Sequence, residues 1–430
     1  MTLRYKNFLA EKIQANRKAL WDWHQAQVQA SPPPFYCSID LRDSGYKIAP
    51  VDSNLYPAGF NNICPEDVRV APSIFKTQID AIYAAKGGTG SPKRVLVLPE
   101  ANTSNVFYIE NIHSLLKIIG EAGFEARLGW WGPLPDGAAS PLELTSESGK
   151  KVHAHAIQIQ GAVLSAGDFV PDLVILNNDF SGGYPKELDA VAQPIAPSFK
   201  MGWHTRKKSE HFVHYNRLAG EFAAIIGVDP WLVQIDTEEV AHVNFNEDQG
   251  TEEVAQSVAR VLARMKDAFE RHKITRKPFV FVKNNSGTYG MGIMVVRDAE
   301  ELRSMNRRTK NKMSVGKNRS HIESVAIQEG VPTATLVDRL PAEPVIYLCG
   351  TELIGGFLRT NKERGEEDNL NSQGMVFRKL CMSDLKKPEE LDEAEAEGTA
   401  SKEPVLELVY GWIARLSALA AGCEINARGV

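Results

Sequence analysis

The chain has 430 residues, with 49 Lys plus Arg against 54 Asp plus Glu and a formal net charge of −5. Hydrophobic residues make up 43% and charged residues 24%, the balance of a globular chain, which excludes a wholly disordered or fibrous one. A net-negative chain has no global attraction for nucleic acid or anionic lipid. The length allows two or three domains and a core that needs no disulfide or metal staple.

Residues 5–29 read as one amphipathic helix, with Leu9, Ile13, Ala19, Leu20 and Trp23 at helical spacing, stopped by the SPPP run at 31–34. From Phe35 to Cys64 the chain is dense in Pro, Gly, Asn and Asp and reads as a long irregular loop, a kind more often functional than idle. Within it Arg42 and Lys47 can clamp a carboxylate, Asp52 can meet an ammonium, and Asn54, Asn61 and Asn62 can hydrogen-bond either. The alternative is a loop whose Asn and Asp side chains satisfy its own backbone.

A new unit opens near Ser91. RVLVLPE (94–100) reads as a buried strand, and residues 105–120 as a helix capped by Ser104 or Asn105 and ended by Gly120 and Gly123. FEARLGWW and PDLVILNNDFSGG (171–183) read as further strands of an open parallel α/β sheet. Such sheets bind ligands at their carboxyl ends, here near Asn102–Asn105 and Asn177–Ser181.

Helices follow over 206–227 and 251–274, the second with Thr251 as its cap, then a strand at 279–283. IMVV, SVAIQE, PVIYLCG and ELIGGFLR are later strands. The acidic segment 386–403 reads as a solvated loop, and VLELVYGWIARLSALAAG as a helix closed by Gly422. No stretch approaches 18 uncharged apolar residues, so no membrane-spanning helix is expected, and the charged N-terminus lacks a signal-peptide core. Cys37, Cys64, Cys349, Cys381 and Cys423 form no CxxC pair and read as core or surface thiols, which suits a reducing cytoplasm.

Three motifs carry chemistry. In VFVKNNSGTYGMGIMVV (280–296) a strand delivers Lys283, and Ser286, Gly287, Gly290 and Gly292 follow in a short turn before another strand. Glycines let backbone N–H groups approach phosphate oxygens, and the following strand excludes a Walker loop or a Rossmann fingerprint. The alternative is a glycine-bearing hairpin with a surface lysine. At the C-terminus, strand-like alternation would put Glu424 and Asn426 on one face as hard ligands for Mg²⁺, against a plain polar tail as the alternative. In SVAIQEGVP, Gln328 and Glu329 end a strand that can present backbone groups to an adenine edge. The basic run 303–321 has seven Lys/Arg but no interleaved aromatic, so it reads as a solvated loop rather than a nucleic-acid site.

Taken in order, Lys208, Lys283, Ser286–Gly292, Gln328-Glu329, Arg359, Asn369-Leu370-Asn371 and Glu424-Ile-Asn426 resemble the ATP-grasp fold. The phrases DLRDSGYKIAPVDSNLYPAGFNN, PSFKMGWHTRKKSEHF, NLNSQGMVFRKL and CEINARGV, with the Lys283 strand, resemble the bacterial ATP-grasp-type glutamate–cysteine ligases. The resemblance implies an α/β chain, α+β in its C-terminal part. It would divide into an N-terminal helix and substrate loop (1–90), an open α/β pre-ATP-grasp domain (91–200) and an ATP-grasp domain (201–430). It implies ATP- and Mg²⁺-dependent joining of the glutamate γ-carboxylate to cysteine through an acyl phosphate. Lys208, Lys283 and Arg359 would be catalytic. Gln328, Glu329 and the glycine turn would bind ATP, the residues of the 35–64 loop would bind substrate, and Glu424, Asn426 and Asn369 would bind metal. A homodimer is a fold-level expectation. The sequence departs from the related glutathione-synthetase pattern in three places: no acid precedes Glu424 at the usual distance, Glu343-Pro344 stands where an arginine is common, and residues 1–90 have no counterpart there. Another ATP-grasp peptide ligase and a non-catalytic nucleotide-binding protein are the alternatives.

Overall fold

A computed structural model describes residues 2–100, 105–287, 292–314, 322–381 and 406–430. The N-terminal helix is two, α1 (Thr2–Ala15) and α2 (Arg17–Ala30), broken at Asn16, where the backbone leaves helical angles. Where a loop was expected, β1 (Tyr36–Asp43) and β2 (Ile48–Asn54) form an antiparallel hairpin. Cys37, Ile39 and Leu41 alternate with Ser38, Asp40 and Arg42, so one face is apolar and buried in the core. The other face carries charge toward a cleft. That charge, together with Pro50 and the turn residues, is why the strand period was masked. After α3 (Ala71–Ala85) the chain builds a seven-stranded sheet.

That sheet contains β3 (Arg94–Pro99), β4 (Glu125–Trp130), β5 (Leu142–Thr145), β6 (Lys151–Gln160), β7 (Val163–Ala166), β8 (Leu173–Asn177) and β9 (Ile195–Ala196). Its order is β5-β6-β4-β3-β8-β9, with β7 beside β6. The pairs β6-β4, β4-β3, β3-β8 and β8-β9 are parallel, as the strand–helix–strand pattern predicts. Helix α4 (Val106–Glu121) crosses over it, and its cap Asn105 accepts from the amides of Phe107 and Tyr108. Residues 102–104, named with Asn105 as a ligand-side loop, lie outside the described residues.

Next come α5 (Lys208–Ile226), β10 (Thr237–Ala241), α6 (Thr251–Arg271), β11 (Val280–Asn284) and β12 (Ile293–Val296). The cap position of α6 is Gly250, in the left-handed region, and the Thr251 hydroxyl is buried with no partner among the described residues, which corrects the expected threonine cap. Part of the basic run forms α7 (Glu300–Arg303) and α8 (Arg307–Met313) rather than loop; residues 315–321 lie outside the described residues. With β13 (Ser324–Glu329) these strands make a four-stranded antiparallel sheet, β10-β13-β11-β12, packed on α6.

The third sheet gathers β14 (Leu336–Val337), β15 (Leu340–Cys349), β16 (Glu352–Asn361) and β17 (Met375–Leu380) with the N-terminal hairpin, in the order β17-β16-β15-β1-β2. Here β1 pairs antiparallel with β15, from Tyr36 opposite Cys349 to Asp40 opposite Val345. Residues 1–90 are thus no separate layer: their hairpin completes a sheet of the C-terminal segment. Cys64 and Cys381 are joined in a disulfide, which corrects their reading as thiols; Cys37, Cys349 and Cys423 are free. The acidic segment 386–403 lies outside the described residues.

The last helix, α9 (Leu406–Ala427), runs through Gly422, so that glycine is no stop and Glu424-Ile-Asn426 is helical rather than extended. By length and composition α9 could cross a membrane, contrary to the expectation, but 94% of that window is buried inside the protein. It packs against α5 and β2, with Trp412 and Leu416 fully buried. Gly422 allows the closest approach: an added Cβ would lie 2.6 Å from the carbonyl oxygens of Ser31 and Pro32. Alanine normally stabilises a helix interior over glycine by roughly 1 kcal/mol, but here the clash is with backbone that cannot rotate away. Gly422→Ala is therefore expected to lower stability, read as a lower denaturant midpoint; a raised midpoint would refute the close contact.

Candidate active site

Two cavities meet at the charged face of the hairpin. The larger, about 900 Å³, lies between that face and the carboxyl ends of the parallel sheet. Asp40, Asp52 and Asn54 line it from the hairpin, Asn61 and Asn62 from the following turn, Asn177 and Asp179 from the end of β8, and Tyr347 and Arg359 from β15 and β16. The smaller, about 50 Å³, is lined by Arg42, Lys208, Lys283, Gly287, Glu343 and Asn369. Asp40, Asp52 and Asn371 line both.

Local structure explains the aim of these side chains. Asp40 and Asp52 are cross-strand partners, and the register shifts just beyond them, leaving Val51 as a bulge. Bulges re-aim groups beside functional sites, and here the Val51 carbonyl accepts from Lys283 Nζ at 3.0 Å. Lys283 Nζ also donates to Gln328 Oε1 at 2.6 Å. The lysine is buried on β11, and burial pushes it down to about 7, with Asp52 opposing the shift. Lys208 opens α5, whose first amides donate to the Asn285 carbonyl and side chain, so the glycine turn and the helix start are locked together. Lys208 Nζ pairs with Asp52 Oδ1 at 2.5 Å. Burial alone would raise Asp52, but Lys208 and Lys283 outweigh it and hold the carboxyl below its ordinary range.

On the next strands Glu343 sits between two arginines, 2.8 Å from Arg42 Nε and 2.7 Å from Arg359 Nη1. Arg359 Nη1 also meets Asp40 Oδ2 at 2.6 Å, while its Nε is buried with no partner among the described residues. Burial drives Asp40 up against the pull of Arg359, whereas Glu343 stays below its ordinary range because two guanidinium groups outweigh its burial. Arg359 also lines the larger cavity, where a guanidinium is suited to an oxygen of a bound substrate.

The structure thus brings Lys208, Lys283, Arg359, Asp52, Asn54, Asn61, Asn62, Asn369, Gly287 and Arg42 to the two cavities, and other expected residues elsewhere. Arg42 lies with the lysines in the smaller cavity, its guanidinium donating to Glu343 and to the carbonyls of Glu366 and Asp368. Lys47 is not a substrate clamp, because it is buried in an ion pair with Glu329 at 2.7 Å. Glu329 is committed to that pair, to Trp231 Nε1 and to the Asp236 amide. Ser286 donates to the Arg206 carbonyl at 2.9 Å and braces the turn. Gly292 has φ 62°, and a Cβ there would lie 2.7 Å from Ile322; Gly290 is outside the described residues. Glu424 is no cleft residue. It lies on α9, buried, bonded to Arg206 at 2.8 and 2.9 Å and to His211, and these partners hold it down at about 2 despite burial. Asn426 donates to Ser31 and Ala30. Sequence reasoning missed Asp40 and Glu343 as cavity residues, whereas Asp179 falls within the Asn177–Ser181 strand end it had marked and Asn371 within the Asn369-Leu370-Asn371 segment. The alternation of Asp40 with Ile39 and Leu41 was the signal available for the first.

The fold and the site define an enzyme of mixed α/β architecture, with a small recess lined by three cations and three acids that meets a larger chamber lined by acids, amides and an arginine. The chain belongs to the glutamate–cysteine ligase family, whose model (GshA: Glutamate-cysteine ligase) matches residues 10–425. A crystal structure of a candidate gamma-glutamylcysteine synthetase from Methylobacillus flagellatus KT is similar at 33% identity, covering 99% of this chain and 97% of that one with a TM-score of 0.86. A D-alanyl-alanine synthetase A from Vibrio cholerae aligns over 75% of this chain and 79% of its own at 12% identity and a TM-score of 0.31, too slight a likeness to carry an argument. No curated protein matches. The activity is the ATP-dependent joining of glutamate and cysteine to γ-glutamylcysteine, the first step of glutathione biosynthesis.

A phosphate oxygen beside Lys283 favours its charged form, so nucleotide binding at pH 8 is expected to take up protons, and affinity to fall as pH rises above 7. Calorimetry of ATP binding in two buffers of different ionisation enthalpy reads the uptake. Lys283→Met should abolish it; an unchanged proton count in that variant would separate Lys283 from the phosphates.

Proposed function

We propose that this glutamate–cysteine ligase is of the ATP-grasp type and works through γ-glutamyl phosphate. The observation that carries the reading is the junction of the two cavities at Asp40, Asp52 and Asn371. A polyphosphate reaching Lys208 and Lys283 would present its terminal group to the chamber at that junction. The four-stranded antiparallel sheet bearing Lys283 and the glycine turn, opposed to a second antiparallel sheet bearing acids, supports the ATP-grasp architecture.

Magnesium fits the hairpin rather than the chain's end. Asp40 and Asp52 face each other across the strands and Asn54 lies two residues on, so hard oxygen donors share one face. Asp40, Asp52 and Asn54, with Asn369 nearby, would hold the ion. When bound, Mg²⁺ neutralises phosphate charge and polarises the transferring group. The protein's own part follows from its charges. Lys208 and Lys283 take the phosphate oxygens, and Arg359, whose side chain lines the chamber, meets the charge that develops as the γ-carboxylate attacks phosphorus. Glutamate and cysteine occupy the chamber, their ammonium groups toward Asp179 and their polar atoms toward Asn54, Asn61 and Asn62. The cysteine amine then displaces phosphate at the acyl carbon, releasing ADP and phosphate overall.

A cytoplasmic location is inferred from the use of ATP and from the few cysteines; a Cys64–Cys381 bond would there be reversible. A homodimer and the absence of nucleic-acid and membrane partners are proposed from fold analogy and net charge alone.

With hydroxylamine in place of cysteine, the protein is expected to give γ-glutamyl hydroxamate and one ADP per product. Release of AMP and pyrophosphate would overturn the acyl-phosphate mechanism. Asp52→Asn should lower turnover at least tenfold and raise the Mg²⁺ requirement, read by magnesium titration, because an amide is a weaker ligand than a carboxylate.

A further inference from the structure

A buried ion pair usually adds little net stability, since removing two charges from water costs several kcal/mol per ion. The pair Arg206–Glu424 is nonetheless fully buried, and buried His211 joins it. Arg206 Nε and Nη2 donate to Glu424 at 2.8 and 2.9 Å, His211 Nδ1 contacts the same carboxylate, and His211 Nε2 lies 2.9 Å from the Ser417 hydroxyl. None of these four residues lines either cavity.

What the guanidinium does with its remaining nitrogen decides the role. Nη1 donates to the Ser53 carbonyl at 2.5 Å. Ser53 stands between Asp52 and Asn54 on β2, the edge strand of its sheet. An edge strand leaves alternate carbonyls without a neighbouring strand, and each needs another partner. On β2 the carbonyls of Val51 and Ser53, two residues apart, both go to cations: Lys283 takes the first and Arg206 the second. The Arg206 carbonyl in turn accepts from Ser286 in the glycine turn, and Lys208, two residues on, pairs with Asp52. A single guanidinium therefore ties the terminal helix to the hairpin and, through its own backbone, to the glycine turn.

We propose that Glu424 and Arg206 are positioning residues: Glu424 fixes the guanidinium, and the guanidinium fixes the edge of β2 so that Asp52 and Asn54 are held in register for the metal. The terminal Glu424 thus acts on the metal site from behind and does not ligate the ion. The inference rests on the reading that Asp52 and Asn54 bind Mg²⁺. Outer residues that orient ligands typically control metal affinity by 10- to 100-fold.

The test uses the full chain with ADP and Mn²⁺ as the probe, free Mn²⁺ being counted by electron paramagnetic resonance, alongside thermal melts. Three variants are compared: Asp52→Asn, Glu424→Gln, and the double variant Arg206→Met with Glu424→Leu. The double variant replaces a buried ion pair by apolar side chains, a change often neutral or stabilising, so a fold comparable to the parent is expected. Its Mn²⁺ affinity should fall about tenfold or more, with the Mg²⁺ requirement for turnover rising in parallel. A folded double variant with the parent's Mn²⁺ affinity would overturn the proposal and leave the pair as a plain cross-link. Should the double variant fail to fold, isosteric Glu424→Gln takes its place with the same readout, and parental Mn²⁺ affinity in it overturns the proposal equally. Asp52→Asn separates the two levels: lost Mn²⁺ binding there upholds the metal site whatever the other variants do. Parental binding in Asp52→Asn removes the metal site and the proposal with it.

Discussion

The pairing of β1 with β15 is the constraint on which the rest of the structure depends. It inserts an N-terminal hairpin into a sheet made of residues more than two hundred positions away, and so puts Asp40 and Asp52 beside Glu343 and Arg359. The pairing is enforced by an apolar inner face, Cys37, Ile39 and Leu41, that joins the same core as Ile346 and Leu348 and the helix α9. A shift of one residue would turn those three side chains outward and drive Asp40 and Arg42 into hydrocarbon, so the register has no near competitor. The active-site geometry is thus a by-product of hydrophobic alternation on one hairpin.

The polar face carries a dense set of compensating charges. Arg42, Glu343, Arg359 and Asp40 form one chain of ion pairs, Lys208 and Asp52 another, and Arg206, Glu424 and His211 a third behind the hairpin. Each charge would be costly alone in such a setting, and each has a partner of opposite sign. Two of these sets reach the cavities, where the charges can be transferred to ligand oxygens. The third is closed off, and its outlet is a backbone carbonyl. The difference between a binding charge and a bracing charge in this protein is therefore solvent access, since residue type is the same in both.

Strong local signals were legible in the sequence. The strand at 94–99, the helix capped by Asn105, the parallel strands at 125–130 and 173–177, the long helices at 208–226 and 251–271, and the Lys283 strand all stand where apolar spacing and turn residues put them. Lys208, Lys283 and Arg359 were legible as cleft residues because their order along the chain resembles that of a known family. A pattern of chemical types suited to a hard cation was also legible, an acid and an asparagine two residues apart.

Which such pair faces the cleft was decided only by the tertiary structure. Glu424-Ile-Asn426 and Asp52-Ser53-Asn54 have the same acid-x-Asn pattern, and nothing local ranks them. The first continues a buried helix because Gly422 lets that helix touch the Ser31 and Pro32 backbone, and its carboxylate is taken by Arg206. The second lies on an edge strand whose outer face opens on two cavities. Lys47 was drawn away from the cleft in the same manner, by Glu329 across the fold. The sequence by itself determined the strongly periodic helices and strands and which residues can carry charge, because those depend on neighbours within a few positions; the hairpin at 36–54 and the helical state of 424–426 needed the packed chain. Partners for the buried charges come from residues hundreds of positions apart, and only the packed chain selects them.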